Sequence, residues 1–342
     1  MKRLIGYLAL AFVVVGCAGT SSTPITTKEP KRTGGLAYSD LPAGRKAVVD
    51  KYPTQPASSD PTPATFDGRT FWLDANGNSC LTPAWDQGNT EFCWAFSSST
   101  MISDRFRIAH ASDPTGPFFS STSFPAYSGG GKWDGPTQTV LNGFAPIAVG
   151  ECSISGSTLG CLQTGDPTEA LDFLYTSGGP LFQGWGVYTC AGACPNLTGV
   201  SRYTVGEPYA VTPRTGWTTA NPVAIMNEIK KHGPVATYIR IAPQFDSWWE
   251  SASSATDVFG PDDTGGNMYN DAANAAGLGG HIVVIVGWGT SAAGEDYWII
   301  RNSWGQMNAD QGYFLLNRGS NFVYCETFVT AAKPGTDTPV GS

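Results

Sequence analysis

Apolar and polar positions alternate with different periods along this chain. Ala95, Ile102, Phe106 and Ala109 recur at helical spacing, which predicts an amphipathic helix starting at Cys93, with Asn89 or Thr90 upstream as its cap. A second helix is predicted over Thr168–Tyr175. A third opens at Asn221-Pro222 and closes at Gly233-Pro234, since proline suits a first helical turn and glycine a C-terminal cap. Val235–Ile241, His281–Trp288, Tyr297–Arg301 and Tyr313–Asn317 are short apolar runs that read as strands. The unbroken run after His281 predicts a strand buried on both faces. These elements suggest an α+β fold, with a helical part and an antiparallel sheet.

The first residues follow another pattern. Lys2 and Arg3 precede an apolar run from Leu4 to Val15, which meets Gly16-Cys17. The run is too short to span a bilayer as a helix and reads as an export signal. Val14-Val15-Gly16-Cys17 resembles a bacterial lipoprotein box. That resemblance implies cleavage before Cys17, a lipid on Cys17, and anchorage to a membrane outside the cytoplasm. An ordinary signal peptide is the alternative. Residues 18–65 are rich in Ser, Thr, Pro, Gly and Ala, with apolar residues only around Leu36–Tyr38 and Val48–Tyr52. Such a stretch reads as a flexible linker. The expected organisation is a signal at 1–16, anchor and linker at 17–65, a folded domain at 66–332 and a tail at 333–342.

Composition narrows the class. With 342 residues, 41% of them hydrophobic, there is ample material for a core, and a disordered polymer is excluded. The 42 Gly and 24 Pro have no fixed period, which excludes collagen and coiled coil. A net charge of −8 argues against a nucleic-acid partner.

Eight cysteines occur, at 17, 80, 93, 152, 161, 190, 194 and 325. If Cys17 carries lipid, at least one of the other seven lacks an intrachain partner, and in an exported protein this suggests either intermolecular pairing or a reactive thiol. The six besides Cys17 and Cys93 could close three bridges. Cys93 stands out because a thiol in the first turn of a helix is favoured as thiolate. Of three histidines, His110 and His232 fall at predicted helix C-termini, where a cation suits the dipole. His281 instead heads the buried run. Pro261–Asp271 lacks EF-hand spacing, and no metal or cofactor is expected. Trp185, Trp248 and Trp249 could suggest a sugar- or lipid-binding patch, but burial under a long loop is the favoured reading.

Three ordered blocks carry a resemblance. Gln87-Gly88 is followed by Cys93-Trp94-Ala95-Phe96-Ser97; Gly280-His281 leads through Ile282–Val286 into Gly287-Trp288-Gly289; and Tyr297-Trp298 leads to Asn302-Ser303-Trp304-Gly305 and Gly312-Tyr313. Together they resemble the papain family of cysteine peptidases, nearest its cathepsin B-like branch through Ile102-Ser103-Asp104-Arg105 and Met226–Val235. The resemblance implies a papain-like two-lobe α+β fold, in which a helical lobe carrying Cys93 faces His281 on an antiparallel β-barrel-like lobe across a cleft, and it implies peptide or protein substrates. It implies Cys93 as nucleophile, His281 as base and later acid, Asn302 as the group orienting the ring, and Gln87 with the Cys93 backbone N–H as oxyanion donors. Trp304 would shield the His–Asn contact, while Gly280 and Gly165 would meet the substrate backbone. Cathepsin B removes dipeptides by means of a histidine-bearing loop, and no histidine lies between 110 and 232, so an endopeptidase is expected. A monomer is expected.

There are departures. Thr90 replaces a bridging cysteine whose usual partner matches Cys161, Glu91 replaces a glycine, and Asn308 replaces a second tryptophan. The glycine wall at Gly160–Gly165 matches only in part. Loops around 114–136 and 253–278 are insertions. Glu91, two residues before the nucleophile, could favour basic substrates or simply face solvent. Residues 18–65 show no long amphipathic helix, so an enzyme born active is favoured over one whose short leader blocks the cleft. A thiol acyltransferase or amidase, and a non-catalytic binding protein on the same scaffold, remain open alternatives.

Overall fold

The computed structural model describes residues 33–56, 58, 60–88, 90–116, 118–119, 164–176, 202–214, 221–241, 243–251, 255–264 and 279–335. The signal run, Cys17, Cys152, Cys161, Cys190, Cys194, Trp185 and most of both insertions lie outside them.

The fold centres on one long helix packed against one long strand. Helices α1 (Ala43–Val49) and α2 (Gly68–Phe71) precede α3 (Cys93–Ala109); α4 (Pro167–Thr176), α5 (Pro222–His232) and α6 (Pro243–Glu250) follow. The strands are β1 (Phe66–Asp67), β2 (Tyr209–Ala210), β3 (Val235–Arg240), β4 (Val258–Phe259), β5 (Gly280–Thr290), β6 (Asp296–Arg301), β7 (Tyr313–Asn317) and β8 (Thr330–Ala331). They form an eight-stranded sheet ordered β2-β8-β3-β5-β6-β7-β4, with β1 added beside β5. Among the described residues the sheet is open and does not close into a barrel, and β4 pairs with β7 in parallel. The α+β papain-like expectation holds, with this correction to the sheet's closure.

Burial explains why β5 is the spine. Ile282, Val283, Val284, Ile285 and Val286 are each at most 1% exposed. Each such side chain contributes on the order of 1.5–3 kcal/mol by leaving water. Strand β3 covers one edge, with Ile239 opposite His281, and β6 covers the other, with Arg301 opposite Val284.

Helix α3 is buried from Cys93 to Arg107, so its sequence shows only a faint apolar stripe. Ala95, Ile102 and Phe106 are fully enclosed, whereas Ala109 is exposed, contrary to the predicted stripe. Two of its buried hydroxyls bond within the helix: Ser98 donates to Trp94 O at 2.6 Å and Ser99 to Ala95 O. Ser97 instead donates to Ile282 O at 2.7 Å, which ties the helix to β5. Asn89 lies outside the described residues and Thr90 does not cap the helix. Phe92 is the N-cap, without a side-chain bond, while Thr90 Oγ1 donates to Gln87 O.

The predicted helix ends hold elsewhere. His110 caps α3 with Nδ1 2.6 Å from Phe106 O, and α5 runs from Pro222 to a Gly233 cap at φ 104°. Trp249 is buried among Phe245, Trp304 and Phe314. Cys325 is a buried free thiol, so three bridges among the six cysteines do not form.

The expected flexible ends are partly folded. Residues 333–335 pair with 204–206 through Gly206 N to Lys333 O at 2.8 Å and Gly335 N to Thr204 O at 2.9 Å. Upstream, Leu41, Val49 and Tyr52 are buried and α1 packs on α4, inside the stretch read as a linker. The polar average over residues 18–65 hid this small apolar cluster, and the body supplies partners for its backbone.

Candidate active site

The three sequence blocks converge where the start of α3 meets the start of β5 and the end of β6. Cys93 opens α3 and is fully buried. His281, on β5 and also fully buried, places Nε2 2.8 Å from Asn302 Oδ1. Asn302 directly follows β6 and is fixed by its own backbone: its N–H donates to Gly312 O, and its Oδ1 accepts from Ser303 N at 2.8 Å. The Trp304 indole lies over the imidazole, with ring centroids 4.9 Å apart and planes at 33°. Being 3% exposed, it keeps water from the His281–Asn302 contact.

Gln87 enters beside the same loop. Its N–H donates to Ser303 O, its Oε1 accepts from Ser303 Oγ at 2.5 Å, and its Nε2 donates to Thr90 O at 2.7 Å. Sequence reasoning missed Ser303, whose only signal was its place between Asn302 and Trp304.

Electrostatics depart from the expected thiolate. Burial pushes the Cys93 thiol up to about 11, Glu91 adds to the rise, and the backbone N–H groups of Ile282, Gly34 and Trp94 pull the other way. Burial likewise pulls His281 down to about 4, against the bond to Asn302. Near pH 7 both groups are therefore neutral, and desolvation outweighs the helix terminus. One consequence is measurable. Against the ordinary thiol value of 9.0, alkylation of Cys93 in this state is expected to be roughly 100-fold slower at pH 7, rising toward pH 11. A rate that levels off below pH 8 would contradict it.

The cause of the burial is the chain itself. Thr33-Gly34-Gly35-Leu36 runs through the cleft: Gly35 N donates to Gly280 O at 2.9 Å, Gly165 N to Gly34 O at 2.8 Å and Leu36 N to Gly165 O at 2.9 Å. Gly165 and Gly280, expected to meet a substrate backbone, meet these residues instead. A Cβ on Gly34 would overlap the Glu91 carbonyl, and one on Gly35 would stand 2.8 Å from His281 C, so only glycine passes here. The expectation of an enzyme born active is corrected: the site is filled. The contact went unseen in the sequence because backbone hydrogen bonds from glycine leave no side-chain signature.

Glu91 is half-buried against Gly34. No group of three or more His, Cys, Asp or Glu suited to a metal occurs among the described residues, and no described helix is long and apolar enough to cross a membrane. Cys17 lies outside them.

Comparisons with known proteins agree with the geometry. Cathepsin B-like cysteine proteinase 3 of Caenorhabditis elegans is 28% identical over 299 residues, covering 81% of this chain and 68% of that protein. Cathepsin B-like CP1 of Giardia intestinalis is 28% identical over 269 residues, covering 77% and 70%. Among solved structures, procathepsin B S9 of Trypanosoma congolense superposes with a TM-score of 0.56 at 18% identity, covering 89% of this chain and 87% of that one. Bromelain from Ananas comosus gives 0.51 at 20% identity, covering 80% and 100%. The family profile for papain family cysteine protease matches residues 147–333, a span holding Gly165, His281, Asn302 and Trp304 but beginning after Cys93. That span is more than half of the chain, and the chain belongs to the papain family of cysteine proteases.

Proposed function

We propose that this protein is a cysteine endopeptidase in which Cys93 attacks the scissile carbonyl and forms a thioester. His281 takes the thiol proton and passes it to the leaving amine, and water then releases the acid. Asn302 holds the imidazole through the 2.8 Å contact at Nε2, leaving Nδ1 for the thiol. That contact, roofed by Trp304, is the observation that supports the reading best. The Gln87 side-chain amide and the Cys93 N–H would receive the oxyanion, each donor worth about 3 kcal/mol. For Gln87 this requires its Nε2 to share or release Thr90 O. With the cleft filled by Gly34 and Gly35, the described state is latent.

The export reading joins this proposal. Residues 1–16 would be removed, and Cys17 would carry the lipid that holds the enzyme to a bacterial membrane, at the outer membrane, its periplasmic side or the cell surface. Metabolic labelling with a palmitate analogue tests it: label on the wild type and none on Cys17→Ala is the expected result.

A peptide library screened beside Cys93→Ala tests the activity. Free acids that appear only with Cys93 intact are expected, and a new amide or ester in their place would indicate transfer. Glu91 is proposed to favour Arg or Lys before the cut. The Arg-over-Leu preference is then expected to fall severalfold in Glu91→Gln, and an unchanged ratio sinks that assignment.

A further inference from the structure

A cavity of about 330 Å³ shares no residue with the active site. Helix α5, strand β2, the chain between Gln55 and Asp60, and Lys333 wall it. Small-molecule sites begin at roughly this size. Its floor is a hydrogen-bonded network. Glu228 Oε1 accepts from Tyr209 Oη at 2.5 Å and from Arg105 Nη2 at 2.9 Å, and Arg105 Nη1 donates to Tyr209 Oη at 2.9 Å. Burial alone would raise the Glu228 carboxyl, but Arg105 and the tyrosine hydroxyl bring it below the usual glutamate value. Glu228 therefore stays charged and answers the buried Arg105.

The lysines of the cavity have no such answer. Lys231 on α5 and Lys333 after β8 both line it, and among the described residues neither has a carboxylate within 4.0 Å. Lys333 Nζ stands 6.0 Å from the centre of the Tyr209 ring, whereas Lys230 Nζ is committed to Pro61 O at 3.2 Å. Cations at a helix C-terminus offset the helix dipole, which accounts for Lys230 and Lys231. It does not account for Lys333, which reaches the same cavity from a distant part of the chain. Three lysines, with Arg105 behind them, thus face only Glu228 and Asp60, in a chain whose net charge is −8. The half-buried His232 in the same wall registers the excess. Burial lowers its affinity for a proton, Glu228 opposes this, and Arg105, Lys333 and Lys231 lower it further.

We propose that this cavity binds a small anion carrying a phosphate group, with Lys231, Lys333 and His232 as its contacts. Two ammoniums and an imidazole are matched by a doubly charged group that only accepts hydrogen bonds; a single carboxylate would leave one ammonium unanswered. Glu228 does not oppose the ligand, because Arg105 already balances its charge. Val211, Ala224 and Pro56 complete the wall with apolar surface for the carbon part of the ligand. The site is independent of the peptidase reading and stands whether or not Cys93 is catalytic.

Proton NMR of the histidine ring signals in the full chain, titrated with inorganic phosphate at constant ionic strength, tests it. With three histidines in the chain, His232→Gln identifies the His232 signal. Saturable binding is expected at roughly 1 mM phosphate or below. The His232 titration is expected to move to higher pH as phosphate binds, because a nearby anion favours the imidazolium. Lys231→Gln and Lys333→Gln are each expected to weaken binding at least roughly tenfold, whereas Lys46→Gln, on α1 and outside the cavity, leaves it unchanged. Both cavity lysines are exposed, so a melting temperature equal to wild type in the absence of phosphate shows that each variant is folded. An equal response to chloride, or a phosphate response that survives loss of both lysines, overturns the proposal.

Discussion

Replacing His281 with alanine is expected to lower kcat/KM on any cleaved peptide by roughly 10³-fold or more. The size follows from the double role proposed for the ring, which would both activate the thiol and protonate the leaving amine. Asn302→Ala is expected to cost less, roughly 10- to 100-fold, and mainly in kcat. It leaves the imidazole in place but removes the 2.8 Å contact that fixes its tautomer. The pH profile separates the roles. In the closed state burial holds His281 at about 4, so the ring ionises only once the cleft is wet and the thiol is its partner. His281→Ala should lose the acid limb of the profile, whereas Asn302→Ala should keep it. A loss below tenfold in His281→Ala would remove His281 from the role of base.

Asp104→Ala is expected to destabilise the fold by about 3–5 kcal/mol. Asp104 is fully buried on α3, and its Oδ2 lies 2.8 Å from Arg301 Nη1 at the end of β6. Asp104 Oδ1 also accepts from Thr82 N at 2.6 Å and Thr82 Oγ1 at 2.9 Å, while Arg301 donates to Thr82 O and Thr100 Oγ1. Without the carboxylate, the Arg301 and Arg107 guanidiniums would stay buried near each other with no countercharge between them. The melting temperature should fall on the order of 10 °C. Activity should fall with it, because this network joins the helix that starts at Cys93 to the strand that ends before Asn302. Thermal unfolding checks the prediction, and a loss under 1 kcal/mol would show that the network is not the anchor. Replacing both partners with apolar residues of similar volume should cost much less.

Much of the core was legible. Strands β3, β5, β6 and β7 and helices α3, α4 and α5 fall within a few residues of their predicted bounds, because each carries a period or an end signal of its own. Two-residue strands such as β1, β2, β4 and β8 have no period to read; the sheet edge they meet defines them. The Thr90 cap failed because the helix begins two residues later, with Phe92 at its N-cap, and the Thr90 hydroxyl donates instead to Gln87 O.

The chain alone determined which side chains enter the site and in what order, since a thiol, an imidazole and two amides at these spacings are a local, covalent property of the sequence. It also determined the buried spine, because five consecutive apolar residues after His281 have no other low-energy place. Only the tertiary structure decided the state of that site. Burial depends on what lies overhead, so the rise of Cys93 and the fall of His281 could not be read from their neighbours in sequence. The occupant of the cleft is likewise a long-range matter: Gly34 and Gly35 reach Gly165 and Gly280 through backbone atoms common to every residue, and only the fold brings those atoms together.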